Sequence, residues 1–179
     1  MTRLFRLLFI CCSFCLLSKG CKKDIISYST VGIKLTHNDN AGAYLVTAGT
    51  SVGDSAYVLR INYVSDLTGF YAVDNNNTYA GLNVPVSVEI FSLQNFDSLH
   101  PAGVSLNEYF IAGPGIGSSV NDVVAEFPDT RDYYPTHDPD DLWLMKGPQT
   151  PGAYKFVVKM VFDDARILTD TTTSINLLQ

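Results

Sequence analysis

Between residues 129 and 141 the sequence DTRDYYPTHDPDD gathers Asp129, Asp132, Asp138, Asp140 and Asp141 around His137. Carboxylates are hard oxygen donors, and Ca²⁺ accepts about six to eight oxygens in flexible geometry, so this spacing could hold a calcium ion. Pro135 and Pro139 mark the stretch as a surface loop, where acidic side chains are ordinarily solvated. Tyr133 and Tyr134 lie inside the same loop and Trp143 follows it. Flat rings of this kind stack on sugar faces, while nearby Asp and Tyr groups bond hydroxyls. Trp143 stands between Leu142 and Leu144, a setting more often found on a core strand than on an open platform.

Catalytic chemistry has little to work with. The three histidines, His37, His100 and His137, stand in no diagnostic nucleophile and base arrangement, and no Gly-x-Ser-x-Gly elbow occurs. Gly113-Pro114-Gly115-Ile116-Gly117-Ser118 is rich in glycine, but a phosphate cradle needs a strand before it and a Lys-Ser/Thr helix after it. The reading is therefore a protein without enzymatic activity and without a resident cofactor.

The 179 residues carry 18 acidic against 12 basic side chains, a formal charge of −6 that disfavours nucleic acid as a partner. With 46% hydrophobic residues, 10 Tyr and 10 Phe, the chain is too apolar for a disordered tail, and its length suits one domain.

The N-terminus reads as an address. Arg3 and Arg6 precede an unbroken apolar run of 11 residues, Leu7 to Leu17, and then Ser18-Lys19-Gly20-Cys21. As a helix such a run reaches only about 17 Å, short of the ~30 Å hydrocarbon layer, so residues 1–20 are expected to be a cleaved secretory signal. All four cysteines lie at positions 11, 12, 15 and 21, so the mature chain keeps only Cys21. Leu17-Ser18-Lys19-Gly20-Cys21, followed by Lys22-Lys23-Asp24, resembles the lipobox of bacterial lipoproteins, and the Cys-Lys-Lys-Asp start is similar to that of small Bacteroidetes-type cell-envelope lipoproteins carrying domains of unknown function. That resemblance implies a lipidated Cys21, a tether over residues 21–29, and attachment to the outer membrane of a Gram-negative envelope. One acyl chain binds a bilayer marginally, whereas two or three, each buried CH₂ adding about 0.8 kcal/mol, anchor it stably.

The body, residues 30–179, reads as strands. Tyr57, Leu59, Ile61 and Tyr63 alternate with Arg60 and Asn62; Val84, Val86, Val88 and Ile90 alternate with Ser87 and Glu89; Tyr154, Phe156, Val158, Met160 and Phe162 alternate with Lys155 and Lys159. Asp163-Asp164 turns the chain into a final strand within 166–178, and shorter candidates are 31–36, 43–47 and 142–145. About seven short strands with almost no helix predict an all-β fold, an antiparallel immunoglobulin-like β-sandwich with one or two short helical turns. Pro151-Gly152-Ala153-Tyr154-Lys155-Phe156 resembles the approach to the penultimate strand of immunoglobulin-like domains, where a tyrosine hydroxyl bonds back to upstream backbone. Ser105-Leu106-Asn107-Glu108 fits a capping box, with Val104 and Tyr109 as its staple, and predicts a helix over 106–111. Asp54-Ser55-Ala56, Asp97-Ser98-Leu99 and Asp170-Thr171-Thr172 are similar to Asp-Ser/Thr-apolar O-glycosylation sites.

The function expected from these features is that of a membrane-anchored envelope lipoprotein, a binding or structural module that contacts a protein partner. The alternative is a surface lipoprotein that binds glycans through Tyr133, Tyr134 and Trp143.

Overall fold

The computed structural model describes residues 25–66, 78–81, 83–113, 119–120 and 139–179, almost all of them in strands and the turns that join them. The strands are β1 (Ile25–Asp39), β2 (Val46–Thr47), β3 (Ser51–Gly53), β4 (Tyr57–Asp66), β5 (Thr78–Gly81) and β6 (Pro85–Ser92). They continue as β7 (Phe110–Ala112), β8 (Asp140–Leu144), β9 (Gly152–Tyr154), β10 (Phe156–Phe162), β11 (Ile167–Thr171) and β12 (Ile175–Leu178).

One sheet has the order β2-β1-β4-β8-β7, antiparallel throughout, with β5 added in parallel to the start of β1. The second runs β11-β10-β6, and β3-β12-β9 extends its line: only Lys155 separates β9 from β10, and three residues separate β11 from β12. Between the layers lies a core of alternating side chains. On β10 Phe156, Val158, Met160 and Phe162 are buried, and Tyr57, Leu59 and Ile61 meet them from β4. The Phe156 ring stacks on Tyr57 at 5.3 Å between centroids and meets the edge of Phe110 at 5.8 Å.

The all-β reading holds, with local differences. Val86, which alternation groups with Val88 and Ile90, is 52% exposed while those two are buried. The register with β10 shifts between Val161 and Phe162, which pair with Ser87 and Pro85, so Pro85 turns inward and Val86 outward, as an extra residue on one strand requires. The helix expected over 106–111 is a single 3₁₀ turn, Asn107–Tyr109, and Phe110 already begins β7. Tertiary bonds explain this: Asn107 Oδ1 accepts from the Ile90 N–H (2.9 Å) and its Nδ2 donates to the Val88 carbonyl (2.8 Å), binding the turn to the edge of β6. A second 3₁₀ turn covers Asp54–Ala56. β1 opens at Ile25, so strand occupies residues 25–29, which the sequence reading assigned to a tether.

The predicted tyrosine bond is present. Tyr154 is buried and its hydroxyl donates to the Thr150 carbonyl at 2.7 Å, which lets the ring enter the core without stranding its polar end.

Register defines two ends. Where β1 begins, Ser29 pairs with Asp66, and Pro85, Phe162 and Ile167 lie at the corresponding ends of their strands. At the opposite, far end are Asp39 with Tyr57, Phe110 with Leu144, and Ser92 with Phe156. Some seven to ten residues at ~3.3 Å each separate the two ends.

Candidate functional site

Three loops meet at the far end: residues 93–106 after β6, the Asn107–Tyr109 turn, and the turn after β8 that carries Lys146 and Gly147. The first is held by backbone bonds from Phe96 N–H to the His100 carbonyl and from Gly103 N–H to Ser92, and it is tied to the third by Gln149 N–H on the Phe96 carbonyl, each 2.9 Å. Phe96, 1% exposed, nails the loop into the core.

At its centre is the Asp97 carboxylate, only 9% exposed. Oδ1 accepts from the backbone N–H groups of Leu99 and His100, both 2.8 Å, and lies 2.9 Å from His100 Nδ1. Oδ2 accepts from the Tyr109 hydroxyl at 2.7 Å and from Lys146 Nζ at 3.4 Å. Tyr109's bond first, then those of His100 and the two backbone groups, hold the Asp97 carboxyl far below the usual carboxylate range against the cost of desolvation. Lys146 Nζ also donates to the Tyr109 oxygen at 2.8 Å, a bond that with the Asp97 carboxylate raises the lysine's pKa, and it sits 4.4 Å from the centre of the Tyr109 ring. His100 stands between two carboxylates, with Nε2 3.0 Å from Glu108 Oε1 and its ring 4.5 Å from that of Tyr109. A neutral imidazole has one N–H and serves one of these acceptors; the imidazolium serves both.

Beside this cluster opens a hollow of about 260 Å³ lined by Asp97, Ser98, Leu99, Lys146, Gly147 and Gln149. Gly147 is required where it stands, because a Cβ there would come within 1.9 Å of Asp54 Oδ2. Ser98 faces the hollow, yet both nitrogens of the nearest imidazole are turned to carboxylates, so no serine and base pair is assembled. The arrangement offers hydrogen-bond donors and a fixed cation, the equipment of recognition.

The residues singled out from sequence fall elsewhere. Cys21, Asp129, Asp132, Tyr133, Tyr134, His137 and Asp138 lie outside the described residues. Asp140 and Asp141 are the first residues of β8 and belong to the sheet. Asp141 takes the guanidinium of Arg60 in a fork, 2.7 Å from Nε and 2.9 Å from Nη2, and Asp140 accepts from the Tyr63 hydroxyl. Among the described residues no group of three or more His, Cys, Asp or Glu is arranged to hold a metal ion. Trp143 is half-buried in the cross-strand row Asn38, Val58, Trp143, Ile111, and its indole N–H is buried without a hydrogen-bond partner among the described residues, as is the Asn38 amide nitrogen. His37 is structural: Nε2 donates to the Thr173 carbonyl (3.1 Å) and Nδ1 therefore accepts from the buried Tyr57 hydroxyl (2.9 Å). Burial lowers its pKa, and the Thr173 bond offsets only part of that.

The comparisons with known proteins come back empty. No protein-family model, no curated protein and no solved structure matches the chain.

The far-end cluster was missed from sequence because Asp97, Glu108 and Lys146 are far apart in the chain and the loops that join them carry no period. One signal was legible. Asp97-Ser98-Leu99, singled out as similar to a glycosylation site, has the composition of an Asx turn, and the Asp97 carboxylate does cap the two backbone N–H groups that follow.

Proposed function

We propose that this chain is a lipid-anchored lipoprotein of the cell envelope whose body is an immunoglobulin-like sandwich, and that it acts as a binding module contacting a protein partner through its far end. Three features support the fold assignment. β4, β8 and β7 share one sheet; β6, β10 and β11 share the other; and β3 crosses to pair in parallel with the last strand while β1 stays with the first sheet. The Tyr154 bond to Thr150 adds the corner expected of such domains.

The observation that carries the functional reading is the asymmetry of the ends. A lipid on Cys21 would be separated from β1 by three residues, which at ~3.5 Å per residue keeps the β1-start end near the bilayer and turns the far end away from it. Of the eleven large apolar side chains exposed among the described residues, seven are at the far end, including Tyr44, Leu93, Leu99 and Met145, and apolar surface of this kind marks contact sites. The glycan alternative names Tyr133 and Tyr134, which lie outside the described residues, and Trp143, whose buried N–H is a poor fit to a sugar platform.

Two measurements test the reading. Intact-mass analysis of the native protein should give a chain beginning at Cys21 with acyl groups, and Cys21→Ser should leave the membrane fraction. An unmodified cysteine or a retained leader would refute the anchor. Crosslinking in envelope extracts should recover a specific protein bound to far-end positions, and recovery of none would refute the partner.

A further inference from the structure

The far-end hollow has a definite donor and acceptor balance. Among the described residues that line it Asp97 is the only carboxylate, and that carboxylate is full: two backbone N–H groups reach Oδ1, joined by His100 when its Nδ1 carries the proton, and two donors reach Oδ2, against about four lone-pair sites. It has nothing left to offer a cation. Lys146, in contrast, has three N–H groups and spends two, on Tyr109 and Asp97. Its side chain is 59% exposed, and those two bonds hold the ammonium in place so that the third proton is presented at low entropic cost. Ser98 adds a hydroxyl and Gln149 an amide, each without a hydrogen-bond partner among the described residues, and Leu99, 75% exposed, forms an apolar lip. At about 260 Å³ the space is below the roughly 300–1,000 Å³ of pockets that enclose whole cofactors or drug-sized ligands, and it suits a single side chain.

We propose that this hollow is a carboxylate pocket: it receives a glutamate or aspartate side chain of the protein partner on Lys146 and Ser98, with an apolar neighbour of that residue resting on Leu99. The proposal rests on the partner-binding reading and names the partner's chemistry there. A charge-assisted N⁺–H···O⁻ bond to a held lysine is stronger than a neutral one, and the charge of Asp97, 3.4 Å from the ammonium, is already shared among the backbone and Tyr109 donors that reach it.

The test uses the purified full chain and three blocked amino acids as probes: N-acetyl-glutamate methylamide, its glutamine analogue and its lysine analogue. Amide signals are followed by NMR. The glutamate probe should move Ser98, Leu99, Lys146, Gly147 and Gln149 with half-saturation in the millimolar range, about that of one or two polar contacts. Glutamine should bind at least ~10-fold more weakly, lysine should leave these signals in place, and Lys146→Met should weaken the glutamate probe by ~10-fold or more while leaving the folded spectrum intact. Ser98→Ala, an exposed change, should weaken it by a smaller factor. Equal shifts with glutamine or lysine, or glutamate shifts that survive Lys146→Met, would overturn the pocket. Loss of probe binding with far-end crosslinks intact would refute the pocket alone; probe binding without any crosslinked protein would refute the partner reading alone.

Discussion

At the end where β1 begins, polar side chains are turned onto the backbone, whereas at the far end they are turned onto one another around an open space. Asn83 bonds the Thr30 N–H at 2.9 Å and the Thr30 carbonyl at 3.3 Å, standing in for a strand neighbour, while Arg166 reaches the same carbonyl and the Ser29 hydroxyl. Asp163 and Val84 exchange two more bonds, and farther along β1 the Asp170 carboxylate takes the Leu35 N–H across the sheets at 2.8 Å. These contacts seal the edges left open where the two sheets meet. At the far end Asp97, Tyr109, Lys146, His100 and Glu108 form a charged network with one cation partly unspent. The difference separates two uses of polarity: at the β1-start end side chains close backbone groups left open by the strands, and at the far end a charged network with a donor left over stands beside a hollow and is available to a ligand.

Substitutions at the two ends should therefore differ in kind. The largest stability effect is expected for Asn83→Ala, which strands the buried N–H of Thr30, itself 1% exposed, and should cost about 2–3 kcal/mol in denaturant unfolding. A loss under about 0.5 kcal/mol would show that the β1-start end is not held this way.

Acid should separate core and far end next. His37 has a folded pKa below its ordinary 6.5, so its contribution is full above that value and is lost as the pH falls beneath it. Asp97 is likewise depressed, so its contribution is full above 3.8 and is lost at lower pH. Melting temperature should thus fall in each of two windows; His37→Gln should flatten the first and Asp97→Asn the second. Asp97→Asn should also loosen residues 97–100, visible as faster amide exchange at Leu99 and His100, and unchanged exchange there would argue against its role as the organiser of the loop.

A smaller gain is expected at the β10–β11 hairpin. Ala165 has φ 64°, the left-handed region that favours glycine, so Ala165→Gly should stabilise by about 0.5–1 kcal/mol. Smallest of all, Lys146→Met should leave the melting temperature unchanged, since the ammonium is mostly solvated, while removing glutamate binding. A melting shift as large as that of Asp97→Asn would make Lys146 a structural residue.

The sandwich was legible where burial follows period two. β10 and β4 were read with their inward faces correct, and the bond from Tyr154 was anticipated from six residues of sequence. What escaped the sequence depends on tertiary bonds. The helix over 106–111 gave way to a 3₁₀ turn because Asn107 is bound to β6 and because Glu108 faces His100 instead of closing a capping box. The long β1 was underestimated because the residues from Ile25 onward lack alternation and are held by partners far along the chain, Thr78–Gly81 and Asp66. The candidate site was invisible for a related reason: its residues come from loops, where position is set by what each side chain bonds.

The comparison of ends is tested most directly by photo-crosslinking in intact envelopes, with a crosslinker placed at Leu99 or Met145 on one end and at Val86 or Ile167 on the other, all four exposed. The far-end positions should yield a discrete protein adduct that Lys146→Met diminishes, and the β1-start positions should yield lipid adducts. A protein adduct from Val86 or Ile167 with none from Leu99 or Met145 would contradict the account.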